Sequence, residues 1–246
     1  MRLTRGQKHF FTENGYLAVQ DLVSSHLIDK MKKRIEELCD AWDSEEARRV
    51  GVQQEDEIEG ALATVRTEMT VRKFSNLIRY EPVFEEHAQN PDFLDVVEDL
   101  IGTPISLFAD QALLKPPLVG AEKMPHQDNA YFNVEPADAV VTCWCALDDA
   151  TVANGCMHYI PGSHDSGLVG HSKIPGTPHL VPEGFDKEKA VPVPLEAGGV
   201  IFHHALTQHF SPDNKTAQWR RAFVVHLVRS DAKSPLKDPK ELPRLR

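Results

Sequence analysis

The sequence predicts a mainly β protein with N-terminal helices, its strands folded as an antiparallel sandwich or jelly roll. Three observations carry this expectation. Residues 1–103 hold apolar side chains at helical spacing, bounded by capping and proline signals. From Pro104 onward the apolar runs shorten and are separated by turn signals: Pro116-Pro117, Asn154-Gly155, Pro161-Gly162 and Gly198-Gly199. No helical stretch intervenes between those runs, which argues against a parallel sheet with crossover helices. A chain of 246 residues can bury one large core. The expected layout is one domain over 1–246: a helical N-terminal region over 1–103, a jelly-roll core over 104–229 and a C-terminal tail over 230–246.

Element by element, Thr4 caps a helix that runs to about Asn14 and ends at Gly15. Tyr16 to Gln20 reads as a short strand. Ser24 or Ser25 caps a second helix, His26 to about Trp42, with Leu27, Ile28, Met31, Ile35 and Leu38 on one face. The charged, turn-rich residues 43–62 read as a mobile loop, followed by a helical or mixed segment through Phe74. Pro82 and Pro91 each open a helix, since proline suits a first helical turn, and Gly102 closes the second. Strands are predicted at Ile105–Ala109, Ala112–Leu114, Ala139–Leu147, Met157–Ile160, Val200–Phe202 and Ala222–Val228.

Composition narrows the partners. There are 37 acidic against 27 basic residues, a net charge of -10, and no Lys/Arg run, so nucleic acid is not expected. The first eight residues lack the apolar core of a secretion signal, and no apolar stretch reaches membrane-spanning length. The last five residues match neither a retention nor a peroxisomal tail. Four cysteines fall short of a disulfide framework. A cytoplasmic enzyme with reduced thiols is expected, with no membrane partner.

The residues that carry chemistry are histidines with one aspartate. In Met124-Pro125-His126-Gln127-Asp128, residues two apart on an extended segment share a face, so His126 and Asp128 can converge on one ion. One distant histidine would complete a two-His, one-carboxylate triad, which leaves adjacent positions open and suits Fe(II). His203, His204 and His209 are the candidates, and spacing alone leaves the choice open. Farther on, Arg220, Ala222, Val224 and His226 share one strand face, and an inward arginine there calls for an anion. Alternation makes Arg221 the surface arginine of the pair. Trp144 shares a face with Val140, Thr142 and Ala146, while Cys143 and Cys145 point away as apolar packing.

These residues resemble the phytanoyl-CoA dioxygenase-like family of Fe(II)/2-oxoglutarate oxygenases. The resemblance starts at Phe11-Thr12-Glu13-Asn14-Gly15-Tyr16. It continues through Asp110-Gln111, Lys115-Pro116-Pro117, Pro125-His126-Gln127-Asp128, Asn154-Gly155-Cys156 and Ile160-Pro161-Gly162-Ser163-His164-Asp165-Ser166-Gly167. It ends with His209-Phe210-Ser211-Pro212-Asp213-Asn214 and Arg220. It implies a double-stranded β-helix, the cupin-like jelly roll, with His209 as the third metal ligand beside His126 and Asp128. It assigns Arg220 and Ser211 to the distal carboxylate of 2-oxoglutarate, and Trp144 and Gln111 to the co-substrate pocket. Arg72 or Lys73 matches a basic position that reaches the site; Lys73 is taken as the co-substrate contact. The implied reaction consumes O2 and 2-oxoglutarate, releases succinate and CO2, and oxidises a C–H bond of a small metabolite. The presence of Asp128 favours hydroxylation, or a related oxidation such as desaturation, over halogenation. The alternative is another metal-dependent cupin enzyme, an isomerase or hydrolase, that uses no keto acid.

Overall fold

The structure is a computed structural model that describes residues 1–54, 71–177 and 179–246. The helices, in chain order, are α1 (Arg5–Asn14), α2 (Ser25–Asp40), α3 (Glu45–Arg49), α4 (Leu77–Tyr80), α5 (Pro82–Ala88), α6 (Pro91–Ile101) and α7 (Asn129–Phe132). The strands are β1 (Tyr16–Val19), β2 (Gln53–Gln54), β3 (Val71–Ser75), β4 (Ile105–Lys115), β5 (Lys123–His126), β6 (Val140–Ala146) and β7 (Met157–Tyr159). They continue as β8 (His171–Lys173), β9 (Leu180–Pro182), β10 (Val191–Val193), β11 (Val200–His204), β12 (His209–Ser211) and β13 (Arg220–Arg229).

A seven-stranded sheet in the order β1-β11-β6-β13-β4-β3-β2 lies over a four-stranded sheet β10-β7-β12-β5, and β8-β9 forms a separate hairpin. All paired strands are antiparallel. This is the jelly roll that the turn-bounded runs predict. Strand alternation divides each long strand between two cores. Cys143, Cys145, Phe202, Phe223 and Val225 pack outward against α2, α5 and α6. Trp144, Ile201, Ala222 and Val224 pack inward with Met157 and Tyr159 of the small sheet. Each buried large side chain contributes roughly 1.5–3 kcal/mol through apolar surface removed from water, so the alternation also fixes strand register.

The N-terminal helices form where their caps allow. Thr4 accepts from Gln7 N while the Gln7 side chain accepts from Thr4 N, a reciprocal cap, and Gly15 ends α1 at φ 75°. There the glycine is required: a Cβ would lie 2.4 Å from Thr207 Oγ1. Ser24 caps α2, and Pro82 and Pro91 open α5 and α6.

Four expectations need correction. Of the loop predicted over 43–62, residues 45–49 form α3 and 53–54 form β2, while 55–62 lie outside the described residues. Ser44 caps α3, and Ala47 and Val50 are fully buried, two apolar anchors hidden among charges. Val71–Ser75, placed in a helical or mixed segment, is the strand β3, held against β4. The two strands predicted at 105–109 and 112–114 are one strand. Ala109 pairs with His226 and Leu107 with Leu227, so Phe108 is an extra residue that reverses the phase of alternation. Arg221 is buried, at 6% exposure, because helices cover the outer face of the sheet. Its guanidinium donates to both oxygens of Asp148, at 2.8 and 2.9 Å, and to Glu36 of α2 at 2.6 Å.

Removing one partner of such a pair strands the other charge. Arg221→Ala should therefore cost about 3 kcal/mol and lower Tm by roughly 6–12 °C, measured by thermal unfolding, while iron binding is unchanged. An unaltered Tm would show that this pair contributes nothing to stability. The final residues run beside β4, where Ile105 N donates to Arg246 O and Leu107 N to Pro243 O.

Candidate metal centre

β5 and β12 lie side by side, with His126 directly opposite His209. Asp128 follows β5 in helical conformation at the start of α7. The pair therefore converges through a turn after His126, not along an extended segment as the two-residue spacing predicts. Gln127 points away and is held by its amide, which donates to Gly167 O and Leu206 O and accepts from Val169 N. His126 Nε2 and His209 Nε2 lie 3.5 and 3.8 Å from Asp128 Oδ1. The candidate ligand atoms of these three buried residues all lie within 4.8 Å of one another.

Backbone carbonyls set the tautomers. His126 Nδ1 bonds Met124 O and His209 Nδ1 bonds Thr207 O, each at 2.8 Å, so both Nδ1 atoms carry the proton and both Nε2 lone pairs face the centre. Burial pushes the pKa of both imidazoles down, which keeps them neutral and able to ligate. Burial alone would raise Asp128, but the hydrogen bond from His203 and the surrounding imidazoles hold its carboxyl well below the usual range.

A chain of hydrogen bonds fixes which carboxylate oxygen is offered. The Gln111 amide donates to His226 Nε2 at 3.2 Å, so His226 Nδ1 carries its proton and donates to Thr142 Oγ1 at 2.9 Å. Thr142 in turn donates to Asp128 Oδ2 at 2.5 Å. From the other side, the Tyr159 hydroxyl donates to His203 Nδ1 at 2.9 Å, and His203 Nε2 donates to the same Oδ2 at 3.1 Å. Oδ2 is thus occupied by two donors and Oδ1 is directed at the two imidazoles. Of the three candidate third ligands, His209 joins the cluster and His203 braces Asp128. His204 lies apart, bonded to Asp138 and packed on His164. His164 itself ties the turn after β7 to the end of α1 by bonding Thr12 O.

Beside the cluster opens a cavity of about 330 Å³ whose lining includes Arg220, Ser211, Trp144, Gln111 and both Arg72 and Lys73. Arg220 is only 2% exposed. Its Nη2 donates to Ser211 Oγ at 3.3 Å, and the guanidinium lies 5.5 Å from the Trp144 ring centroid. Its Nε and Nη1 have no partner among the described residues, nor does Trp144 Nε1. Burial, with no carboxylate hydrogen-bonded to it, pushes Arg220 down to about 9, so it is still cationic at neutral pH. Orphaned donors of this kind are costly and mark a place for an anion. Two neutral nitrogens and one carboxylate fit Fe(II), and the adjacent guanidinium fits an acid co-substrate. Residues of 43–75 and 165–190 supply cavity wall: Gln53, Arg72 and Lys73 from the first, His179 from the second.

Sequence reasoning misses Tyr159, His203, Thr142 and His226 as supports of Asp128. The available signal is the polar side chains of Thr142 and His226 on faces read as inward. It also misses Lys123, which lines the cavity.

Comparison with known proteins gives the family and the fold. The family model for phytanoyl-CoA dioxygenase (PhyH) matches residues 11–222. A probable phytanoyl-CoA dioxygenase of Caenorhabditis elegans is 29% identical over 246 residues, covering 93% of this chain and 76% of its own. The peroxisomal phytanoyl-CoA dioxygenase of Mus musculus is 30% identical over 241 residues, covering 93% and 69%. Among solved structures, the non-heme alpha ketoglutarate dependent carbocyclase SnoK superposes with a TM-score of 0.72 at 23% identity, over 94% of this chain and 86% of that one. The epimerase SnoN, in complex with Fe3+, alpha ketoglutarate and nogalamycin RO, gives 0.74 at 21% identity, over 98% of each. At these identities the structural likenesses speak for the fold. No helix among the described residues is long and apolar enough to cross a membrane. The family match spans most of the length, from α1 into β13, and so the chain belongs to the phytanoyl-CoA dioxygenase (PhyH) family and is a dioxygenase dependent on iron and 2-oxoglutarate.

Proposed function

We propose that the chain acts as one oxygenase domain that hydroxylates a C–H bond of a small metabolite, releasing succinate and CO2. In this reading His126, Asp128 and His209 hold Fe(II), and Arg220 with Ser211 holds the distal carboxylate of 2-oxoglutarate. The observation that carries it is the buried Arg220, with two unpartnered donor nitrogens next to the His-Asp-His cluster. The ion and co-substrate, when bound, supply the oxidising power for the C–H bond. The protein supplies position. The carbonyls of Met124 and Thr207 orient the imidazoles, and the Thr142 and His203 donors hold Asp128 with one oxygen offered. Trp144 stacks under the guanidinium and keeps its fork in place, while Met157 and Val224 help keep the wall apolar. Gln111 acts through His226, and Lys73 faces the same cavity as a cation for the co-substrate.

A cupin enzyme without a keto acid leaves Arg220 unexplained, because a guanidinium is then buried for no anion. The test is a succinate-release screen against a metabolite library with Fe(II), 2-oxoglutarate and ascorbate. Slow iron-dependent consumption of 2-oxoglutarate is expected without substrate, and faster coupled turnover with the right one. No consumption under any condition would reject the reading.

A further inference from the structure

Under this reading the divalent ion, Asp128, the co-substrate dianion and Arg220 balance one another in charge. More cations line the same cavity. Lys73 comes from β3 and Lys123 from β5, with Arg72 beside them, and Asp128 is the one carboxylate among the described lining residues. Neither the Lys73 nor the Lys123 ammonium makes a hydrogen bond or ion pair with the described residues. Arg72 donates to the Glu122 carbonyl at 3.0 Å, which holds it in place.

Lys123 is placed to read a substrate. It sits three residues ahead of His126 on the same short strand, about 10 Å of extended chain from the metal centre. Its Nζ lies over the Tyr131 ring, 5.9 Å from the centroid. That ring is itself fixed, because Tyr131 Oη accepts from Leu180 N of the β8-β9 hairpin at 2.9 Å. Burial and the neighbouring Arg72 and Lys73 push the Lys123 ammonium down to about 8, while Asp128 opposes the shift. A desolvated cation among like charges costs stability, and such a cost at a cavity wall marks a functional position.

We infer that Lys123 binds an anionic group on the substrate, a carboxylate or a phosphate, and so selects which C–H bond faces the metal centre. The substrate is then an organic acid or a phosphate ester, not a neutral or cationic metabolite. This deepens the reading above and rests on it.

The test titrates two probes, butyrate and methyl phosphate, into anaerobic protein loaded with Fe(II) and 2-oxoglutarate, followed by calorimetry. At least one should bind wild type, and the tighter one names the anion class. Lys123→Gln should weaken that probe about 10- to 100-fold, as expected for loss of one charged hydrogen bond, and Lys123→Arg should keep most of the affinity. The 2-oxoglutarate affinity of Lys123→Gln should equal wild type. Failure of both probes to bind wild type, or equal affinity in Lys123→Gln, would overturn the assignment. So would a lowered Tm in Lys123→Gln with unchanged probe affinity, since Lys123 would then serve only to pack on Tyr131. If the underlying reading fails instead, the charge-transfer band of the loaded protein is missing before any probe is added.

Discussion

His209→Ala should abolish iron binding and activity together, whereas His203→Ala should keep the ion with affinity about 10- to 100-fold weaker. Both residues are buried histidines near Asp128, so their difference tests geometry rather than composition. His209 presents Nε2 to the centre because its Nδ1 proton is committed to Thr207 O. Without it, only His126 and Asp128 remain, and two ligands hold Fe(II) poorly. His203 spends its Nε2 proton on Asp128 Oδ2 and its Nδ1 lone pair on Tyr159. It has no lone pair left for an ion; removing it frees Asp128 to rotate about its remaining bond from Thr142. His204→Ala should leave the metal untouched, since that ring bonds Asp138. The measurement is anaerobic Fe(II) titration with metal stoichiometry. Unchanged affinity in His209→Ala would remove it from the ligand set, and complete loss in His203→Ala would exchange the two roles.

How far the sequence reveals this depends on distance along the chain. The N-terminal helices are legible because their signals are local: Thr4 with Gln7, Pro91 at a helix start, Gly15 and Gly102 at helix ends. The inward set Arg220, Ala222, Val224 and His226 is legible because this stretch of β13 keeps strict alternation. In β4 the same rule misleads, since the extra residue Phe108 reverses the phase and splits one strand into two. The strands that carry His126 and His209 are four and three residues long, too short for any period to register. Alternation misplaces Arg221 because it gives the face of a sheet but not what covers it. The support of Asp128 joins Gln111, Thr142, Tyr159, His203 and His226 from five strands, a convergence with no local trace. Lys123 and Lys73 come to line one cavity for the same reason, so their shared field is invisible in a sequence whose net charge is negative.

Arg220→Ala should raise the 2-oxoglutarate requirement steeply while Fe(II) binding stays nearly intact. Nε and Nη1 of this buried guanidinium have no partner among the described residues, and its Nη2 meets Ser211 Oγ at 3.3 Å. A carboxylate entering the cavity would satisfy the open donors in one step, by the planar fork that matches two oxygens. Removing one side of such a buried pair costs roughly 2–4 kcal/mol, on the order of 30- to 1000-fold in affinity. Arg220→Lys should recover only a fraction of this, because an ammonium keeps the charge but loses the fork. Ser211→Ala should cost less, since it removes a neutral donor to the same oxygens. Arg221→Ala is the control that separates binding from folding. Its side chain lies on the opposite face, so it should lower Tm without moving the 2-oxoglutarate curve. The measurement is a titration of 2-oxoglutarate into anaerobic Fe(II)-loaded protein, following the metal-to-ligand charge-transfer band. Equal affinity in wild type and Arg220→Ala would take Arg220 out of the co-substrate site. Absence of the band in wild type would favour the cupin alternative, and the buried guanidinium would then need a different anion.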